Sequence, residues 1–437
     1  MLKRRDLLKL GVMAGASAVA GGCVRPLDEP DLQIRIFQGG YGIDFYEQAA
    51  RELEELEDVR LDLKGDPRIW EQLRPRFVGG DPPGLTMPGW GMDHYALIYE
   101  GQVMPLDDAL ASPPYGETSG DWKDDFLPAV LEMGQFRGKT YLLPYFLTLN
   151  GWWYNAGLFE ENGWTPPRTY DELLSLGEKI QAKGIAPITY QGKYPYYAIQ
   201  GFLLPWVIGI GGIEAFQKAE ALEPGGWSSD AFVEAARRVV ELRERGMFQK
   251  GADGMSHTEA QMEFLNGRAA MIPCGTWLET EMKEQTPAGF RMRFFTPPHV
   301  EGGKGDPTAL QVGTEPWLIP TQARNQALAI RYLKYITTPK KAREFVLAKG
   351  TLSAIREANV DPLPDTLASA AEALRSAGVT WTPNYTRWYK ELEEICRSEF
   401  ASLLMGSSTP EQFAAKMEAA AQRLNRDPNV PKPLQMS

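Results

Sequence analysis

The feature that most constrains this chain is a switch between two hydrophobic periods near its start. In DLQIRIFQGG, residues 31–40, Leu32, Ile34 and Ile36 alternate with polar neighbours, which is the period of a strand. Directly afterwards Phe45 or Tyr46, Ala49, Leu53 and Leu56 recur at helical spacing, and Val59, Leu61 and Leu63 alternate again. Strand, helix and strand in succession specify an α/β fold with open sheets, two of them expected from the length. A chain of 437 residues exceeds what one hydrophobic core usually supports, so two lobes are expected. A second helix follows with Ile69, Leu73 and Phe77 on one face, stopped by Gly79-Gly80. Later helices are marked by their caps: Thr169 with Glu172 forms a capping box before Leu173, Leu176 and Ile180, with Gly184 as the stop. Thr338-Pro339 and Thr409-Pro410 each place a cap before a first-turn proline, and Gln412 completes the second box.

The first 22 residues read as an export signal and are set apart from the fold. Lys3, Arg4, Arg5 and Lys9 precede a small-residue apolar run too short to span a bilayer. Arg4-Arg5-Asp6-Leu7-Leu8-Lys9 resembles a twin-arginine signal, and Ala20-Gly21-Gly22-Cys23 resembles a lipobox with Ala20 where a larger aliphatic residue is usual. Lipidation of Cys23 would hold the mature protein at a membrane surface, with residues 23–30 as a tether. Without the first 22 residues the chain carries 42 basic and 56 acidic side chains, a formal charge of −14. Nucleic acid and anionic headgroups are therefore poor partners. Cys274 and Cys396 remain as thiols, which one pair in an oxidising compartment leaves free to bond or to stay apart; unpaired is the expectation. The histidines, His94, His257 and His299, are scattered and form no ligand cluster, so neither a metal nor another cofactor is expected.

Aromatic residues are concentrated in loops. TYQGKYPYY, residues 189–197, holds Tyr190, Tyr194, Tyr196 and Tyr197 around Gly192 and Pro195, which oppose regular structure, and it follows the apolar run Ile185 to Ile188. MPGWGMDHY (residues 87–95) follows the second helix, IPCGTWLE (272–279) follows the apolar Ala269 to Ile272, and NYTRWYKE (384–391) comes late. In open α/β sheets ligands bind outside the carboxyl ends of strands, where such loops converge. A pyranose has an apolar C–H face and a fringe of hydroxyls. Aromatic platforms flanked by carboxylates and amides suit it, the rings burying area and the polar groups fixing orientation.

Longer segments carry a family resemblance. LPYFLTLNGWWYNAGLFEENGWTPPRTYDELLSLGEKIQAKGIAPITY (143–190), MEFLNGRAAMIPCGTW (262–277), GTEPWLIPTQARNQALAIRYLKYITTP (313–339) and GSSTPEQFAAKM (406–417) resemble the family 1 extracellular solute-binding proteins, the carbohydrate-binding subunits of ABC importers. NGWTPPRTYDE, TYQGKYPYY, GMSHTEAQ and IPCGTWLETEMKEQTPAGF are most similar to the N-acetylglucosamine/diacetylchitobiose-binding lipoproteins of that family. The resemblance implies two lobes joined by three crossings that close around a sugar, with residues 31–146 and 309–352 in one lobe and 147–308 and 353–437 in the other. It further implies delivery to a permease, an exported and lipid-anchored location, and no catalysis.

By the same resemblance Trp277 is the leading stacking residue, with Tyr194, Tyr196, Tyr197 and Trp388 beside it. Trp90, Asp93 and His94 would face them from the first lobe, Tyr41 and Asp44 would lie in the loop after the first strand, and Glu279 would supply a polar contact. Where relatives often read Gly-x-x-Pro-Asp before the Trp90 loop, this chain has Gly84 at the last position. Trp152, Trp153 and Trp317 read as packing at the crossings. Two other functions fit an exported sugar-handling chain: a glycoside hydrolase using Glu279 or Glu281 with a second carboxylate, and a lipid-tethered sugar sensor.

Overall fold

A computed structural model describes residues 29–432. The leader, the twin-arginine run, Cys23 and the first part of the tether lie outside the described residues. The opening strand–helix–strand is present as read: strand Leu32–Phe37, helix Asp44–Glu57 and strand Leu61–Asp66. Leu32, Ile34 and Ile36 point into the core, and the helix covers them with Phe45, Tyr46, Ala49, Ala50 and Leu53. Leu56 departs from the expected apolar face and is 64% exposed, while the same turn is engaged through Glu57, which accepts from Tyr115 and pairs with Arg331.

Strand Leu32–Phe37 is the middle of a three-stranded parallel sheet, flanked by Leu61–Asp66 and by Leu85–Met87. The last of these has three residues, all buried, and shows no alternation by which it could be read. Its presence alters one expectation: MPGWGMDHY leaves a strand end, not the end of helix Ile69–Val78.

The larger sheet has seven strands built around Phe146–Asn155. This ten-residue strand pairs antiparallel with Leu310–Gly313, Leu352–Ser353, Ala269–Gly275 and Met292–Phe295. Outside them, Thr380–Trp381 runs parallel to Leu310–Gly313, and Ala186–Ile188 runs parallel to Ala269–Gly275. The register sets Gln311 opposite Asn150 on one side and Gly275 opposite Asn150 on the other. Trp152, Trp153 and Trp317 are fully buried, and the indoles of the first two donate to the carbonyls of Gly201 (2.8 Å) and Gly275 (3.2 Å).

The caps follow the sequence with one difference. Thr409 and Gln412 form the reciprocal box, and Thr338 accepts from the Lys341 N–H. Thr169 accepts from the Glu172 N–H, but the Glu172 carboxylate reaches one residue further back and accepts from the N–H of Arg168 (2.7 Å), so that box is closed on one arm only.

Two large apolar clusters result. One runs from the first sheet through the middle of the long strand and centres on Phe345; the other gathers helix Asp230–Glu244, helix Lys390–Leu404 and helix Pro410–Arg426 around Phe202, Trp206 and Trp227. Cys274 belongs to the first and Cys396 to the second, and both are free, buried thiols. Among the described residues no single helix is long and apolar enough to cross a membrane. Phe345 holds the first cluster together: the rings of Tyr41, Phe45, Tyr46, Tyr145 and Phe146 all lie within 6.4 Å of its centroid. Removing that ring leaves a cavity that five rigid neighbours cannot fill. Phe345→Ala should therefore lower the unfolding free energy by about 3–5 kcal/mol in a urea titration; a loss under about 1 kcal/mol would mean that the cluster repacks freely.

Candidate functional site

Three strand ends bring the loop aromatics together. Trp90 follows Leu85–Met87, Tyr194 to Tyr197 follow Ala186–Ile188, and Trp277 follows Ala269–Gly275 by two residues. Their rings form a continuous ladder. Phe37 lies 6.1 Å from Trp70, Trp70 lies 4.8 Å from Trp90, and Trp90 lies 6.2 Å from Tyr196. Tyr196 stacks on Tyr197 at 4.3 Å, and Tyr197 lies 6.0 Å from Trp277. Trp90 and Tyr194 keep 45% and 41% of their surface in solvent, far more than is usual for rings of this size.

Glycines permit this arrangement. A Cβ on Gly91 would stand 2.1 Å from the Trp70 ring, and one on Gly275 would stand 2.0 Å from the Trp277 ring. Trp277 therefore folds back over the end of its own strand. It also packs on Gly40, where a Cβ would come within 3.1 Å, so the loop after the first strand touches the loop after Ala269–Gly275.

A second group joins the ladder through the late segment. Helix Tyr385–Trp388 meets helix His94–Tyr99, with the Trp388 and Tyr95 rings edge to face at 6.1 Å. Lys390 Nζ donates to the Trp90 carbonyl (3.0 Å) and Arg387 Nη2 to the Thr314 carbonyl (2.9 Å). Asp93 caps the His94 helix by accepting from the Ala96 N–H (2.9 Å), and burial raises its carboxyl pKa. His94 is buried, and burial beside the Arg387 and Lys390 charges pushes its pKa down to about 3, so its imidazole is neutral.

The remaining expected residues are engaged within the protein. The Tyr41 hydroxyl donates to Thr351 Oγ1 and shares a hydrogen bond with Thr276 Oγ1, both at 3.0 Å, and burial pushes its pKa up to about 12. Asp44 is exposed and paired with buried Lys349. Glu279 accepts from the Thr366 hydroxyl, with its carboxyl raised by burial. The structure thus joins Trp90, Tyr194, Tyr196, Tyr197 and Trp277 in one surface and sets Trp388, Asp93 and His94 beside it. Tyr41, Asp44 and Glu279 serve contacts around its margin.

His257, Glu281 and Gln261 also join this surface, in a role that the sequence pattern does not assign to them. His257 lies nearly parallel to Tyr197 at 6.3 Å and meets Tyr194 at 5.8 Å. Its Nε2 is 2.9 Å from Glu281 Oε1, and Gln261 Nε2 donates to Glu281 Oε2 (2.8 Å). The signal was available: Ser256 and Glu259 form a complete capping box, which fixes where helix His257–Leu265 begins. Ile199–Leu203 forms a π-type turn immediately after the tyrosines, a distortion often found beside functional sites. Among the described residues no cluster of three or more metal-ligating side chains occurs. A recess of about 500 Å³ borders Leu147, Val312 and Asn384, but its lining contains none of the ladder aromatics.

Comparison with known proteins identifies this architecture. Residues 45–343, well over half of the chain, match the model of the bacterial extracellular solute-binding protein family. The chain belongs to that family. It is 33% identical over 336 residues to a diacetylchitobiose binding protein of Streptomyces coelicolor, a match that covers 74% of this chain and 71% of the relative. Among solved structures it superposes on a chitin oligosaccharide binding protein with a TM-score of 0.76 at 20% identity, covering 91% of this chain and 99% of that one. A solute-binding protein in complex with raffinose gives 0.74 at 21% identity, covering 89% and 97%. At these identities the structural matches show the two-lobed fold of such proteins.

The Glu281 contact raises the His257 pKa above its ordinary value. Glu281→Gln removes the charge that favours the imidazolium, so the His257 pKa measured by NMR titration should fall towards about 6.5. An unchanged value would show that the carboxylate is not what holds the proton.

Proposed function

We propose that this protein captures a sugar between its two lobes and presents the closed complex to the permease of an ABC importer. N-acetylglucosamine or a short chitooligosaccharide is the proposed ligand. The observation that carries this reading is the aromatic ladder from Trp90 to Trp277. It gathers rings from three separate strand ends into one surface, Trp90 and Tyr194 well exposed, Tyr196 and Trp277 partly covered and Tyr197 buried beneath them, which suits the apolar face of a pyranose. Similarity to a diacetylchitobiose binding protein supports the choice of sugar, and similarity to a multiple sugar-binding protein of Streptococcus mutans supports the broader class.

In this reading residues 31–146 with 309–352 form one lobe and residues 147–308 with 353–437 the other. The strands Leu310–Gly313 and Leu352–Ser353, each hydrogen-bonded to Phe146–Asn155, carry the crossings with it. Sugar favours closure only through its extra contacts with the closed state, here supplied by Trp90 on one side and Tyr196, Tyr197 and Trp277 on the other. Asp93, His94 and Trp388 support the Trp90 wall. Export follows from the family, and Cys23 is the proposed lipidation site that keeps the protein near its permease. No catalytic step is proposed: Glu279 and Glu281 are both tied into internal hydrogen bonds.

Isothermal titration of the purified protein with diacetylchitobiose, N-acetylglucosamine and maltose tests the reading, each sugar being checked for hydrolysis. Micromolar binding of the acetylated sugars is expected, equivalent to about −8 kcal/mol. Trp277→Ala should weaken it tenfold or more in protein that a melting curve shows to be folded. Binding of maltose alone would keep the carrier role and remove the chitin-sugar assignment. Turnover of any of these sugars would replace the carrier with an enzyme.

A further inference from the structure

We propose that Gln311, Thr314 and Glu315 form the polar edge that reads the sugar, with the Glu315 carboxylate accepting hydrogen bonds from hydroxyl or amide N–H donors of a neutral sugar. This rests on the sugar-carrier reading and adds residues that neither the motifs nor the comparisons assign. Buried polar atoms are nearly always paired, yet here three oxygens within five residues have no protein partner: Gln311 Oε1, the Thr314 hydroxyl and Glu315 Oε2. They lie on, or directly after, strand Leu310–Gly313.

Their position links them to every aromatic segment of the site. Gln311 is opposite Asn150, whose other neighbour is Gly275, two residues before Trp277. The Gln311 amide donates to Gln200 Oε1 (3.1 Å), on the turn that follows Tyr196 and Tyr197. Arg387, next to Trp388, donates to the Thr314 carbonyl, and Lys390 donates to the Trp90 carbonyl. Acceptors at the meeting point of the aromatic loops complement the rings chemically: the rings take the C–H face of a pyranose, and the edge takes its donors.

The charges around Glu315 give the edge a measurable signature. Burial raises its carboxyl to about 7, opposed by Arg387 and Lys390 from the late segment. Tyr46 of the first helix also faces it, neutral His94 faces the same two cations, and Asp93 faces Lys390. Ligand donors favour the carboxylate, so binding lowers the Glu315 pKa and releases a proton at and below pH 7. Affinity is then flat above about pH 7.5 and falls, by up to tenfold per unit, as pH drops below 7.

The test is titration of the full-length purified protein with diacetylchitobiose, or with maltose if that is the sugar bound, from pH 5.5 to 8.5 in buffers of different ionisation enthalpy. The wild type should release up to one proton on binding at pH 6.5. Glu315→Gln should lose tenfold or more in affinity at pH 8 and show a flat pH profile, with the melting temperature checked for folding. Thr314→Val, which keeps the shape and removes the hydroxyl, should lose about threefold or more and serves if the first variant does not fold. A wild type that binds with no proton release and a flat profile, or a folded Glu315→Gln that binds within twofold of wild type, overturns this inference and leaves the carrier reading standing. A wild type that binds no sugar overturns both.

Discussion

Everything in the site depends on the backbone hydrogen bonding of strand Phe146–Asn155. That strand is the only element among the described residues that pairs with four others, and its register decides which loops become neighbours. Asn150 is paired to Gln311 on one side and Gly275 on the other. A slip of one residue would turn each side chain to the opposite face. Phe146 to Leu149 and Gly151 to Trp153 are buried on both faces of the strand, with Trp152 and Trp153 locked by indole hydrogen bonds to Gly201 and Gly275, and this makes such a slip costly.

The aromatic surface illustrates how glycine and tryptophan cooperate. An indole can lie flat against a strand end only where the backbone beneath it has no Cβ, and Gly275, Gly40 and Gly91 provide those places. The rings are thereby held by packing on backbone as well as by each other. A ladder held in this way loses little conformational freedom when a ligand covers it, which lowers the ordering cost that usually offsets buried area.

The first sheet was readable because Leu32–Phe37 and Leu61–Asp66 alternate, the helix between them keeps one apolar face, and helix Ile69–Val78 stops at Gly79. Leu85–Met87 was not, since three buried residues carry no period; the loop holding Trp90 was therefore assigned to the end of a helix. Leu56 misled for the opposite reason: periodicity reports which face a residue occupies, but not whether anything covers that face. The aromatic loops stood out by composition, and the structure brings five of the expected residues into one surface. The capping box of Ser256 and Glu259 marks where the His257 helix begins, but what His257, Glu281 and Glu315 do is not marked. Their significance comes from contacts between segments far apart in sequence, and a solitary histidine or glutamate has no local signature. His94 shows the same limit from the other side, because a histidine beside a site tryptophan turns out to be a neutral, buried residue of the wall.

The pairing of Leu310–Gly313 and of Leu352–Ser353 with Phe146–Asn155 has a mechanical consequence. Stretching or sliding paired strands breaks backbone hydrogen bonds, whereas twisting them keeps the bonds intact and lies within the natural range of a sheet. Layers joined through such a ribbon can rotate against each other about the strand direction but cannot drift apart. In the proposed carrier this leaves rotation about the strands as the soft coordinate of lobe closure, so that sugar contacts at Trp90 and Trp277 would act on it together.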